Sequence, residues 1–181
     1  DDAVVHALNA VSLFMRKGET LGLVGETGAG KTTLARSILR LIPSPPGVIK
    51  SGKIFFDGMD LLSLSENQMR AIRGNSISMI FQDPMTSLNP LKTVGAQIAE
   101  VIKIHQKLSG NDLKQAVIRL LEEVGIDDAP RRYGQYPHEF SGGMRQRVVI
   151  AIAIACQPQI LICDEPTTAL DVTIQAQILN L

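Results

Sequence analysis

A glycine-rich segment near the start of the chain has the residue types that bind the phosphate chain of a nucleotide. Residues 25–33 read GETGAGKTT, follow the apolar residues 21–24 and precede residue types that favour a helix. Glycines let the backbone bend so that several N–H groups converge on phosphate oxygens, and a helix start adds positive potential. The spacing G-x-x-x-x-G-K-T in this context predicts a nucleotide site.

We name residues 25–33 the phosphate loop and expect every one of them to contact the nucleotide. We expect Lys31 to reach the β- and γ-phosphates, and Thr32 to give its hydroxyl to Mg²⁺. The alternative is a surface glycine turn before a helix with a lone lysine. The sequence contains no N-K-x-D or T-K-x-D box, by which GTPases read guanine, so ATP is favoured. The expected contacts are Gly25, Glu26, Thr27, Gly28, Ala29, Gly30, Lys31, Thr32 and Thr33.

Two adjacent carboxylates follow the apolar run 160–163. Asp164 and Glu165 are thereby predicted at the carboxyl end of a buried strand, the edge where ligands bind in open α/β sheets. We expect Asp164 to hold Mg²⁺ through a water, and Glu165 to polarise the attacking water as general base. The alternative is an acidic pair that opens a turn before Pro166 and merely caps the chain from Thr167 onward.

A second glycine-rich helix start lies at residues 141–143. Ser141 can cap the helix, and Gly142 and Gly143 let a phosphate approach the first-turn N–H groups. Alone this signal is weak, because S-G-G also occurs in flexible loops. It gains weight because an apolar helix and then ILICDEP come after it in the chain. Arg145 and Arg147 on this helix are either solvated charges or interface residues.

The order GETGAGKTT, FSGGMRQR, ILICDEP and TALD resembles the ATPase subunits of ABC transporters. The resemblance implies a homo- or heterodimer with a second ABC ATPase subunit, in which Ser141, Gly142 and Gly143 of one subunit face the ATP of the other. Phe140 and Met144 depart from the commonest LSGGQ pattern. FSGGMRQR nevertheless resembles one ATPase type of the dipeptide and oligopeptide importers, and FQDPMTSLNP resembles the peptide and nickel importer branch.

The same resemblance implies further roles and partners. It places Gln82 at the hinge into a helical insertion, as a contact to Mg²⁺ or the lytic water, although a polar loop residue is the alternative. It makes Asp171 the acid that crosses to the other subunit, or else a helix cap. The implied function is ATP hydrolysis that powers import of dipeptides or oligopeptides by a transmembrane permease, fed by a substrate-binding protein. Such a subunit lies peripherally on the cytoplasmic face of the cell membrane.

The alternation of elements predicts an α/β fold with a mostly parallel core sheet and a helical insertion. The resemblance implies the P-loop NTPase fold of the ABC ATPase type, with an N-terminal antiparallel β subdomain and a helical subdomain at about 93–137. We expect one domain over 1–181, truncated at its C-terminus. Phe14 is predicted to point into the core rather than to stack on adenine. The predicted strands are 11–15, 20–24, 51–56, 77–81 and 160–163, and the predicted helices are 31–41, one from Ser65, 93–124 ended by Gly125, 142–156 and one from Thr173.

Composition limits the other possibilities. Lysines and arginines number 18 and so do acids, so no basic field favours nucleic acid. The longest apolar run, residues 148–156, is shorter than the roughly 20 residues of a membrane span. Cys156 and Cys163 lack metal-ligand spacing, which fits a reducing compartment.

Two alternative functions stay open at this point. A soluble ABC ATPase that acts on DNA or ribosomes would need a coiled-coil insertion or a basic face. The other alternative is a module that dimerises when it binds nucleotide but hydrolyses little of it. The resemblance implies a catalytic histidine after Asp171, whereas His6, His105 and His138 all precede Asp164.

Overall fold

The computed structural model describes residues 5–81 and 87–165. The chain divides into two compact units, Asp1–Met69 and Arg70–Leu181. Gln82, Asp171 and the helix predicted from Thr173 lie outside the described residues. Among the residues that are described, we find no helix with both the length and the apolar character that a bilayer span demands.

The first unit contains one complete helix and one short hairpin among its described residues. Helix α1 (Lys31–Ile38) ends earlier than the predicted residue 41, because Arg40 adopts a positive φ of 52°. The Arg40 guanidinium then donates to the carbonyl of Leu64 at 2.6 Å. Strand β1 (Phe55–Phe56) pairs antiparallel with β2 (Met59–Asp60). Asp57 and Gly58 form the turn between the two strands, both with positive φ, as tight hairpins require.

The strands predicted at residues 11–15 and 20–24 are wrong, since neither segment forms a strand. Their apolar side chains are largely exposed, and Val24 is 95% exposed. A strand needs a neighbour that shares its backbone hydrogen bonds, and in the described part of this unit the only ladder joins β1 to β2. The prediction that Phe14 points into the core is also wrong. Phe14 is 72% exposed, and the Arg16 guanidinium carbon lies 5.3 Å from the centroid of its ring.

Helix α2 (Glu66–Ile72) begins directly after Ser65, as predicted, and its start is a capping box. Ser65 N donates to Gln68 Oε1 at 2.9 Å, and Gln68 N donates to Ser65 Oγ at 3.4 Å. Each partner thus satisfies one backbone N–H that the helix start leaves unpaired. The local sequence therefore fixes where this helix begins.

The second unit contains a parallel strand pair. Strand β3 (Ile77–Ile80) is fully buried and pairs with β4 (Ile160–Cys163), with Ile77 opposite Ile160 and Ile80 opposite Cys163. This confirms the predicted strand at residues 160–163, and the one at 77–81 apart from its last residue. Because parallel strands run in the same direction, the carboxyl ends of β3 and β4 lie at the same edge of the pair, next to Asp164.

Among its described residues, this unit also contains the helices α3 (Val94–Gln106), α4 (Gly110–Glu123), the short α5 (Ala129–Arg132) and α6 (Gly142–Ile154). Thr93 caps α3 through its side chain, and Gly125, with φ of 75°, follows α4 as predicted. Apolar residues of the helices and β3 form one core. Its fully buried members include Val94, Ile98, Val117, Leu121, Val124, Val148 and Ala151.

Candidate nucleotide site

The phosphate loop is open to solvent in the described structure. Residues 25–29 are exposed, and the loop leads into α1 without a side-chain cap on the helix start. Gly28 and Gly30 have φ of 85° and 91°, a left-handed conformation that L side chains rarely adopt. A Cβ on Gly30 would also lie 2.7 Å from the carbonyl oxygen of Ala7. These two glycines are therefore required by the bend of the loop.

Lys31, the first residue of α1, turns its side chain back over the loop. Its Nζ donates to the carbonyl oxygens of Gly25 at 2.6 Å and Glu26 at 2.9 Å. The ammonium group thus lies among the backbone groups of the loop, where a phosphate would meet it. Thr32 and Thr33 lie half-buried in the first turn of α1.

The helix start predicted at Ser141 is present. Ser141 is the N-cap of the 13-residue α6, and its Oγ accepts from Met144 N at 3.3 Å. Ser141 and Gly142 are exposed, and a Cβ on Gly142 would have nothing within 4 Å. The first-turn N–H groups of a helix have no partner inside the helix. The arrangement leaves room for an anion to approach them.

Asp164 and Glu165 lie at the carboxyl end of β4 as predicted. Asp164 N donates to Ile80 O at 3.0 Å, which extends the strand pairing by one residue. Asp164 is 7% exposed, whereas Glu165 is exposed and has φ of 50°. Partial burial raises the pKa of the preceding Cys163 thiol, so this residue adds no charge beside the acids at neutral pH. The two neighbouring carboxylates thus have different environments, one enclosed and one accessible.

Arg147 has a role that the sequence did not predict. Its Nη1 donates to the carbonyl oxygen of Val124 at 2.6 Å, at the end of α4. It is therefore more than a solvated helix charge. At the other end of α6, Gln106 Nε2 donates to Ala155 O at 3.3 Å. These bonds tie α6 to both α4 and α3.

The loop before Ser141 contains residues that sequence reasoning missed. Residues 133–140, here named the lead-in loop, contain a polar network built on Gln135 and Glu139. His138 stacks on Tyr136 with ring centroids 5.7 Å apart. The sequence held half of a capping-box signal, since Glu139 stands three residues after Tyr136, but the motif has Ser or Thr where Tyr136 stands.

Comparisons with known proteins agree with this arrangement. The profile described as "ABC transporter" matches residues 8–168. The chain is 58% identical to the oligopeptide transport ATP-binding protein OppD of Bacillus subtilis, over 98% of this chain and 49% of that protein. It is 54% identical to the dipeptide transport ATP-binding protein DppD of the same organism, over 98% and 53%. The chain thus spans about half the length of these relatives.

A solved structure gives the same result for the fold. The dimeric ATP-binding cassette MJ0796, in a post-hydrolysis state bound to ADP and Pi, superposes with a TM-score of 0.86 at 27% identity. The match covers 99% of this chain and 75% of that one. The predicted P-loop NTPase fold of the ABC ATPase type is confirmed. With the family profile matched over most of its length, this chain belongs to the ABC transporter ATP-binding family.

Proposed function

We propose that this chain binds ATP at the phosphate loop and hydrolyses it as the ATP-binding subunit of an importer of dipeptides or oligopeptides. The observation that carries the proposal is the exposed loop with two left-handed glycines and Lys31 directed at its backbone. The names of the relatives OppD and DppD support the peptide cargo. The family supports ATP as the nucleotide.

In the reaction, residues of this chain bind the triphosphate and accept one proton from the attacking water. Lys31 and the amides of the phosphate loop hold the β- and γ-phosphates. The Glu165 carboxylate accepts a proton from water as the water oxygen bonds to the γ-phosphorus. The bond from that phosphorus to the β,γ-bridging oxygen breaks, and ADP and phosphate leave. The exposure of Glu165 gives water access to this carboxylate.

The donor chemistry fits Mg²⁺, which would be held by the Thr32 hydroxyl and the Asp164 carboxylate, with Gln82 as a further oxygen donor. Mg²⁺ prefers oxygen ligands and takes few of them from protein when substrate phosphates supply the rest. A hydroxyl and an enclosed carboxylate are donors of that kind, and Asp164 is 7% exposed. When bound, the ion neutralises charge on the phosphates.

The second half of the proposal concerns assembly. Two ABC ATPase subunits would pack head to tail, so that Ser141, Gly142 and Gly143 of one approach the γ-phosphate held by the other. The open N-terminus of α6 supports this, because its amides are accessible to an anion. A permease in the membrane would be the further partner, which places the subunit peripherally on the cytoplasmic face. The dimeric state of the MJ0796 cassette supports pairing.

Phosphate release and ATP binding by the purified protein test the catalytic half of the proposal. We expect Lys31→Ala to weaken binding of a fluorescent ATP analogue, and Lys50→Ala, at an exposed lysine, to leave it unchanged. We expect Glu165→Gln to slow phosphate release by about 10²-fold or more while binding persists. Glu123→Gln is the matched control. Binding without any phosphate release in the unsubstituted protein would instead favour a nucleotide-gated dimerisation module.

Peptide uptake tests the cargo. In the assembled transporter, labelled dipeptides and oligopeptides should enter vesicles or cells only with ATP and with an intact Lys31. Uptake of nickel but not peptide would overturn the peptide assignment and leave the ATPase assignment standing.

A further inference from the structure

The lead-in loop is held by a chain of side-chain hydrogen bonds that ends at Glu139. Arg132 Nη1 donates to Gln135 Oε1 at 2.9 Å, and Gln135 Nε2 donates to Glu139 Oε1 at 3.2 Å. The second carboxylate oxygen, Oε2, accepts from the backbone N–H of Tyr136 at 2.7 Å. Glu139 thus joins two points of the same loop.

The direction of this chain determines which residue type can end it. Arg132 has only donors, so the Gln135 amide must turn its oxygen toward Arg132 and its NH₂ toward Glu139. Two donors, Gln135 Nε2 and Tyr136 N, therefore converge on residue 139. An ionised carboxylate accepts both, whereas a glutamine there accepts one and sets its own NH₂ against the other donor.

The bonded loop leads directly into the helix start at Ser141. Glu139 N donates to Tyr136 O at 3.0 Å and Phe140 N donates to Pro137 O at 3.2 Å, so residues 137–139 form one 3₁₀ turn. Phe140 is 3% exposed, and the Arg132 guanidinium carbon lies 5.7 Å from its ring centroid. One anchored residue thus separates Glu139 from the N-cap of α6.

The opposite end of the loop is tied to the start of α3. Val94 N donates to Gln135 O at 2.8 Å, and Gly95 N donates to Tyr133 O at 3.0 Å. These bonds use N–H groups that the first turn of a helix leaves without partners. The lead-in loop is therefore hydrogen-bonded to α3 near its beginning and held across its middle by Glu139. Its last residue, Phe140, is buried.

We propose that Glu139 is a positioning residue that holds Ser141 and the amides of Gly142 and Gly143 in the geometry that receives the nucleotide of the partner subunit. This inference rests on the proposed head-to-tail assembly. A preformed loop does not have to be ordered when the partner's phosphate arrives, so less of the binding free energy is lost. Without the carboxylate, the same contact requires a higher nucleotide concentration.

Nucleotide-driven dimerisation separates this role from the subunit's own nucleotide binding. Purified protein is titrated with the non-hydrolysable β,γ-imido analogue of ATP, and the dimer fraction is measured by analytical ultracentrifugation. We expect Glu139→Ala to raise the half-saturating concentration by about tenfold, and Glu139→Gln to raise it less, because it retains one acceptor. Glu123→Ala, at an exposed glutamate that ends α4, is the matched control and should behave as the unsubstituted protein.

Two further measurements test whether Glu139→Ala merely damages the fold of the protomer. Binding of a fluorescent ATP analogue to the protomer, below the concentration that drives dimerisation, should change by less than about twofold in Glu139→Ala. The melting temperature should stay near that of Glu123→Ala. If protomer binding falls as much as dimerisation, or if Glu139→Ala dimerises like its control, the positioning role is overturned.

Ser141→Arg distinguishes the inference from the assembly on which it rests. A bulky cation at the helix start should abolish nucleotide-driven dimerisation. If it does so while Glu139→Ala has no effect, only the inference about Glu139 fails. If Ser141→Arg dimerises normally, the head-to-tail assembly itself is wrong.

Discussion

Gly95, in the first turn of α3, lies against the ring of Tyr133 so closely that a Cβ on Gly95 would be 2.4 Å from the ring carbon Cδ2. Gly95 N also donates to Tyr133 O at 3.0 Å. The ring contact depends on the missing side chain, because real Cβ atoms essentially never approach another atom so closely. The helix start and the lead-in loop are therefore packed together through the backbone of one glycine.

Gly95→Ala should destabilise the protein by about 1–3 kcal/mol, the usual cost of inserting a methyl group where there is no room. The Tyr133 ring would have to move, and the lead-in loop would move with it. Urea unfolding followed by circular dichroism gives the free energy of unfolding. Gly134→Ala is the control, since its Cβ would meet only Arg131 O, at 3.9 Å. Equal free energies for the two variants would contradict the packing described.

Arg147→Met should lower the free energy of unfolding by about 2 kcal/mol. It removes a hydrogen bond from a charged donor to Val124 O while keeping much of the apolar length of the side chain. Arg119→Met, at an exposed position of α4, is the matched control and should change stability by less than about 0.5 kcal/mol. If both variants unfold at the same urea concentration, Arg147 does not stabilise the contact between α6 and α4.

Gly30→Ala should weaken ATP binding by about tenfold or more without unfolding the protein. Alanine at φ of 91° is strained by roughly 1–3 kcal/mol, and its Cβ would press on Ala7 O. The loop would have to rebuild away from the geometry that its amides need. A fluorescent ATP analogue measures the affinity. Gly22→Ala has no atom near its Cβ and should bind normally, and so an equal loss in both variants would argue against a loop-specific effect.

Local signals predicted helix starts, bends and the end of strand β4 well because they depend on neighbours in the sequence. The cap at Ser141, the capping box at Ser65 and the glycine bends at Gly28 and Gly30 are all settled within a few residues. The acidic pair at Asp164 was predictable because an apolar run of strand length precedes it. Each of these features needed no knowledge of distant parts of the chain.

Features that depend on tertiary contact were missed. Residues 20–24 have a composition typical of a strand, but a segment's own sequence does not determine which strand will pair with it. In the structure these residues form no strand. Arg147 looks like any charge on a helix until Val124 O is found 2.6 Å away. Phe14 looks like a core residue from its apolar neighbours, yet it is exposed. Local composition does not determine which residue lies opposite another.

Ser141→Ala should lower the free energy of unfolding by about 1 kcal/mol, because it removes the oxygen that accepts from Met144 N at the start of α6. Ser109 provides an internal control. It occupies the N-cap of α4, a helix of similar length, but its side chain makes no capping hydrogen bond. Ser109→Ala should therefore cost clearly less in the same urea titration. If the two substitutions cost the same, the Ser141 hydroxyl is not a stabilising cap, and its placement at the exposed start of α6 would have to be explained by nucleotide contact alone.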